Sequence, residues 1–133
     1  MVDIEKLLVA YIRTFDIDAF TDLPEGATRP VARVNLLGGL PENSNSPVWR
    51  SRPTVQVDVW GTTKKEAWDT IWTIRTALLE MPRVEPSHEA GDISQTVAEW
   101  PADLPDADWP DQNGQPGPRY SMTVRFVAHP ART

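Results

Sequence analysis

The chain has 133 residues, 40% of them hydrophobic and six of them Trp, which suits one core and a single domain over 1–133. Its net charge is −6 and its thirteen basic residues are scattered, so tight binding of nucleic acid through phosphate contacts is not expected. The lack of cysteine excludes a disulfide framework or a thiolate site. Met1-Val2-Asp3-Ile4-Glu5 carries no basic-then-apolar leader, and no apolar run approaches the roughly 18 residues of a membrane span.

In chain order, Asp3 is placed to cap a helix whose apolar face is Ile4, Leu7, Leu8, Tyr11, Ile12 and Phe15. A short strand over Ile17–Leu23 is weakened by its aspartates, and Pro24-Glu25-Gly26 follows as a turn. Val31–Leu37 reads as a second strand, with Ala32, Val34 and Leu36 on one face and Arg33 and Asn35 on the other. Residues 38–53 form a long polar loop holding Trp49, Arg50 and Arg52. Loops of this length in a compact domain are often functional, and Trp49 is either a latch on its own domain or an anchor for a partner.

The stretch from Arg52 to Met81 organises the chain. Val55, Val57 and Val59 alternate with Thr54, Gln56, Asp58 and Trp60, the pattern of a half-buried strand. Gly61 ends it. Thr63 and Glu66 form a capping box, and Ala67, Ile71, Ile74, Leu78 and Met81 share one helix face up to a stop at Pro82. Trp68 and Trp72 flank that stripe, one expected in the core and the other left open. A weaker strand over Ile93–Trp100 places Ile93, Gln95, Val97 and Glu99 on one face. A second long loop over 101–118, rich in Pro and Asp, leads to a strong strand with Tyr120, Met122, Val124, Phe126 and Ala128 inward. That strand is expected to pair with the preceding one.

The expected fold is α+β: one mostly antiparallel or mixed sheet with two helices packed on one face. The other face, with Thr54, Gln56, Asp58 and Trp60, is left partly apolar by its Trp and is a candidate for subunit contact. Chemistry does not assemble from the motifs. Asp103, Asp106, Asp108 and Asp111 do not follow a calcium-loop pattern, because position 5 counted from Asp106 is Pro110 and position 12 is Gly117. His88 and His129 stand too far apart to suggest zinc, and there is neither a Gly-x-Ser-x-Gly elbow nor a glycine-rich phosphate cradle. No cofactor, metal or catalytic residue is expected.

The opening helix IEKLLVAYIR, the run VQVDVWGTTKKEAWDTI, the helix end IRTALLEMP and the closing PGPRYSMTVRF occur together in order. With them the chain resembles the tail terminator proteins of long-tailed bacteriophages, also called minor tail or tail completion proteins. The resemblance covers about half the chain and implies a structural virion protein, not an enzyme. Its members form a ring, usually a homohexamer, on the head-proximal end of the tail. The ring stops tube polymerisation and provides the surface for head–tail joining. Implied partners are the chain itself, the tail tube protein, the head–tail connector protein and genomic DNA passing through the lumen unbound, with no membrane. The implied place is the virion, and the host cytoplasm during assembly. Implied contacts are Trp49, Arg50 and Arg52 on the first loop and Asp103, Asp106, Asp108 and Trp109 on the second. Six copies of −6 would give an acidic ring of −36 that DNA can pass. The Pro and Asp content of the second loop departs from the family pattern. A head-side connector or completion protein is the alternative within the virion. A small hydrolase or ligand-binding domain is the alternative outside it.

Overall fold

The structure, a computed structural model, describes residues 3–38, 51–84 and 92–129. In chain order the elements are α1 (Ile4–Arg13), β1 (Asp18–Phe20), β2 (Val31–Gly38), β3 (Thr54–Trp60), α2 (Lys64–Val84), β4 (Asp92–Ala98), β5 (Ala102–Asp103) and β6 (Arg119–His129). The strands make one open mixed sheet in the order β1-β2-β3-β6-β4, with β5 also paired to β6. β1 runs parallel to β2, and the other pairs are antiparallel.

Sequence periodicity explains the layers. The inward sets of the central strands, Val34 in β2, Val55, Val57 and Val59 in β3, and Met122 and Val124 in β6, are buried together with one stripe of each helix. Leu7, Leu8 and Ile12 supply the stripe of α1, and Ala67, Ile71, Ile74 and Leu78 that of α2. The result is an α+β fold with both helices on one face of the sheet, as the alternation predicts. Burying each such Leu or Ile side chain stabilises the fold by about 1.5–3 kcal/mol.

The ends of elements depart from expectation in four places. Phe15 lies beyond the end of α1 and is 43% exposed, resting edge-on against Tyr11. Thr14 ends that helix by donating its hydroxyl to the Tyr11 carbonyl (2.6 Å), and Asp16 then turns the chain with a φ of 60°. α2 does not stop at Pro82 but runs on to Val84. Proline in a last turn forfeits one intrahelical bond, and the buried Met81 beside it keeps the turn on the core. In β4 a bulge between Ile93 and Gln95 shifts the register. Ile93 and Ala98 therefore both pack toward the core, while Val97, expected on the same face as Ile93, is 53% exposed. Finally, Ser51–Pro53, expected in the first loop, is paired to β6. Ser51 and Ala128 exchange backbone bonds of 2.8 and 2.9 Å, and the Phe126 amide donates to the Pro53 carbonyl.

Both helix starts are capped as the residues predict, with one difference. Asp3 accepts from the Lys6 amide at 3.1 Å, and Thr63 accepts from the Glu66 amide at 3.1 Å. The Glu66 carboxylate, however, reaches past the cap residue and accepts from the amide and hydroxyl of Thr62, at 2.8 and 2.9 Å. That extra step is possible because the chain turns sharply at Gly61. A Cβ there would sit 2.5 Å from the Ala67 nitrogen and 2.8 Å from the Thr63 carbonyl oxygen, both backbone atoms. The strand-to-helix corner thus requires glycine for close approach and not for an unusual φ.

Gly61→Ala is expected to lower the unfolding free energy by about 1–3 kcal/mol, as overpacking against backbone does. Denaturant unfolding measures this. A change within error would mean that the corner opens at no cost.

Candidate functional site

The face of the sheet away from the helices is built by the same alternation. Trp60, Asp58, Gln56 and Thr54 of β3 point this way, flanked by Val31, Arg33 and Asn35 of β2 and by Arg119, Ser121, Thr123 and Arg125 of β6. One end of this face is sealed, and at the other, here called the open end, Gln95, Val97 and Arg125 are exposed.

At the sealed end Asp58 has no exposed surface. Such a carboxylate needs donors. Arg33 supplies an ion pair at 2.7 Å and the Gln56 amide a hydrogen bond at 3.0 Å, and Gln56 also donates to the Ser121 hydroxyl. Next to this cluster Trp60 is only 2% exposed. It was expected to leave the face apolar and available for a subunit. Instead, the second long loop folds back over it. The Trp109 ring lies 5.7 Å from the Trp60 ring, and Asp106 accepts the Trp60 indole N–H at 2.8 Å. The Arg29 guanidinium stacks 4.1 Å over Trp109 and donates to the Trp109 carbonyl at 2.7 Å. Arg33 and Arg119 lie against the Trp60 ring at 5.1 and 5.8 Å. The aromatic and cation–π contacts each contribute about 0.5–2 kcal/mol.

Backbone pairing makes the loop a closed arm. β5 pairs with Tyr120 and Ser121, the Leu104 amide donates to the Arg119 carbonyl, and Asp106 and Gly117 exchange bonds of 2.9 and 2.8 Å. Asp111 accepts from the amides of Asn113 and Gln115 and so closes the tip. A Cβ on Gly117 would run into the Trp109 carbonyl, so this position too needs glycine.

The candidate residues therefore divide. Trp60, Asp106 and Trp109 come together, but as an internal clasp and not as a projecting contact surface. Asp108 stays exposed on the arm, where its amide donates to Asp106 at 3.0 Å. Asp103 pairs with Lys64 at 2.9 Å, which raises the Lys64 pKa chiefly through their hydrogen bond. The solvated acidic loop is in this sense partly a set of local acceptors. Arg52 is exposed at the far, open end of the face. Trp49 and Arg50 lie outside the described residues, as does His88. His129 is within hydrogen-bond distance of the Ser94 hydroxyl, 3.1 Å. Sequence reasoning missed Arg29, Arg119 and Arg125. The alternation of the last strand could have flagged Arg119 and Arg125, since both share a face with Ser121 and Thr123. Nothing local marks Arg29, which meets Trp109 from 80 positions away.

The open end presents Arg52, Gln95, Val97, Arg125 and Val127 around a shallow depression. On the helix side, a second exposed surface is aromatic. Trp68 packs on Tyr120 (5.1 Å) and on Trp72 (5.3 Å), and Trp72 on Trp100 (4.7 Å), so both flanking tryptophans of α2 are half-buried. Trp100 is still 69% exposed. Arg75 stacks on Trp72 and Trp100 and donates to the Ala98 and Glu99 carbonyls, both at 3.1 Å. The Glu99 amide bonds to β6, so the alternating ladder turns the Ala98 carbonyl outward, and Arg75 blunts the edge of β4 there.

Chemically, the two inward carboxylates of the sealed end, Asp58 and Asp106, are both engaged by donors. Among the described residues no group of three or more His, Cys, Asp or Glu could hold a metal ion, and no helix is long and apolar enough to cross a membrane. What the surface offers is charge, aromatic area and shape. Comparison of the chain with protein-family models and with curated proteins found no match.

The clasp has a defined acid response. Burial by itself would raise the Asp106 pKa, but the Trp60 indole, the Asp108 amide and the charges of Arg119 and Arg33 outweigh it and hold the carboxyl below its usual value. A carboxyl with a lower pKa when folded stabilises the fold fully above the ordinary value of about 4. That contribution is lost as the pH falls through the lower folded value. Asp106→Ala also leaves the buried Trp60 N–H without its acceptor, and should cost about 1–3 kcal/mol at pH 7. Thermal unfolding from pH 7 to pH 2.5 is expected to show the gap between wild type and Asp106→Ala narrowing below about pH 4 without closing, because a protonated carboxyl still accepts the indole N–H. Parallel curves at every pH would mean that Asp106 carries no charge-dependent stability.

Proposed function

We propose that this protein is a structural subunit of a virus particle, a tail terminator of a long-tailed bacteriophage. In this reading it forms a ring, capping the tail tube and stopping its polymerisation, and offers the surface that the head connector joins. No bond is made or broken. DNA passes through an acidic ring without specific binding. The protein resides in the host cytoplasm until it joins the virion.

The observation that carries the reading, beside the sequence resemblance, is the division of the sheet face. The domain keeps one end of that face for itself, and at the other end, among the described residues, Arg125 and Val97 are exposed beside Val127. A surface of mixed charge and apolar area with a fixed backbone suits recognition of another folded protein. The exposed Trp100 beside Arg75 adds a second such surface on the helix side, of the residue types that dominate interface energetics.

Tail tubes polymerised in the absence of a terminator supply the test. Added protein is expected to bind at tube ends, to stop elongation and to let those tails join heads. Tubes that continue to lengthen, with no protein at their ends, contradict the reading. Binding to tailless heads and not to tubes assigns the protein to the head side of the joint instead.

A further inference from the structure

α2 has two stripes. The inward one packs in the core, and the outward one faces solvent. Lys65, Asp69, Thr73, Thr76, Glu80 and Arg83 recur along the outward stripe at helical spacing, and all six are exposed. Their polar contacts stay within α2. Lys65 pairs with Asp69 at 2.7 Å, Arg83 with Glu80 at 3.7 Å, and the Thr73 hydroxyl donates to the Asp69 carbonyl at 2.9 Å. One flank of the stripe is apolar. Trp72, Arg75 and Leu79 stand at i, i+3 and i+7 on it, and Trp100 leans on Trp72 at 4.7 Å. Leu79 is 40% exposed and Trp100 69%. A large apolar side chain in that position, beside an arginine, is of the kind a protein partner covers.

The charges say which partner. Asp69 lies seven residues before Thr76 and Arg83 seven after it, about two turns to either side. When the stripe is laid antiparallel on its own copy about a two-fold axis at Thr76, Asp69 of each copy comes opposite Arg83 of the other. The contact occurs twice. Neither residue has to leave its neighbour on α2, because a carboxylate accepts about four hydrogen bonds and a guanidinium donates five. Lys65, Asp69 and the second copy's Arg83 and Glu80 then alternate in sign along one line. A parallel pair would set Asp69 on Asp69 and Arg83 on Arg83, like charge on like. The antiparallel axis also keeps each flank on its own side while reversing its direction. Trp72 and Trp100 of one copy therefore lie over Leu79 of the other. At the axis itself Thr73 and Thr76 are short and uncharged, so two helices can approach closely there.

We propose that two copies of this chain pair through the outward stripe of α2, antiparallel and about a two-fold axis at Thr76. A contact of this kind uses the same patch on both copies and closes on itself. It does not rest on the ring reading. It uses the helix layer and leaves the other face of the sheet free, so pairs can still assemble further through that face. Copies that each carry −6 repel one another at a distance. A local match of opposite charge then decides which surfaces meet.

Crosslinking and charge reversal test this together. The chain has no cysteine, so Thr76→Cys places a lone thiol at the axis. Packed helices lie about 8–10 Å apart, which brings two such positions within the span of a disulfide. Under mild oxidation with diamide, Thr76→Cys is expected to link into dimers at least about tenfold faster than Asn113→Cys at the exposed arm tip. Sedimentation velocity at low salt is the second readout. The wild type is expected to pair, and Asp69→Lys and Arg83→Glu each to pair at least about tenfold more weakly. The double variant that carries both should recover, because opposite charges meet again with their signs exchanged. All of these positions are exposed, and circular dichroism checks that each variant stays folded. A wild type that stays monomeric overturns the inference, as do equal crosslinking at both thiols and a double variant no stronger than the single ones. Association that is unchanged in both single variants belongs to another surface and overturns it too, while the ring reading stands, since that reading is decided on tail tubes. A wild type that stays monomeric until tail tube protein is added, with the Thr76→Cys thiol then shielded from alkylation, gives the stripe to that partner and also overturns it.

Discussion

The hydrogen bond from the Trp60 indole to Asp106, 2.8 Å long, is the constraint on which the two-sided character of this domain depends. Trp60 sits at the end of the central strand, on the face that no helix covers. An indole left there in water would be a sticky patch on the sheet face. Burying it requires a cover with an acceptor for its N–H, and Asp106 supplies the acceptor while Trp109 supplies the cover. The arm that carries both residues is fixed in turn by its own pairing to β6 and by Arg29. This contact, together with the backbone pairing and Arg29, holds 101–118 over one end of the sheet face.

The positions of the arginines follow one logic. Arg29, Arg33 and Arg119 surround the two rings of the clasp, and Arg75 fills the same role for Trp72 and Trp100 at the edge of β4. A guanidinium can stack on a ring and still donate in its own plane, so it seals aromatic area and satisfies carbonyls at once. Arg13 does likewise at the other edge, lying 5.1 Å over Phe20 and donating to the Ala19 carbonyl at 3.0 Å. Both outer strands of the sheet thus carry a helix arginine on a backbone carbonyl. This discourages indiscriminate strand pairing at either edge. Arg125 stands apart, because its side chain is more than half exposed and its ion pair with Glu99 is long, at 4.0 Å.

Much of this was legible in the residues. Strict alternation in Val55, Val57 and Val59 and the four-three stripe of Ala67 to Met81 gave the layers, and Asp3 and Thr63 gave the helix starts. Local chemistry is short-range, and these signals are too. What was not legible depends on contacts between distant positions. Trp60 reads as an exposed aromatic until Asp106, 46 positions on, is brought to it. A bulge at Ser94 has no signature in ISQTVAEW, yet it decides that Val97 faces out. Of the candidate contact residues, Arg52 is exposed on an extended stretch paired to β6 and not in a loop. Trp60 was a candidate on the sheet face, and Asp106 and Trp109 were candidates on the second loop; the structure brings the three together and turns them inward, because that Pro-rich loop is a paired arm and not a free one.

The central claim is that the sealed end of the sheet face serves the domain itself and the open end serves its partner. Hydrogen exchange of the backbone amides, compared between dilute and self-associated protein at low salt, tests it most directly. The account predicts new protection around 95–97 and 125–127, with the arm over 102–119 unchanged. Protection gained in the arm, with 95–97 and 125–127 exchanging as before, would contradict it.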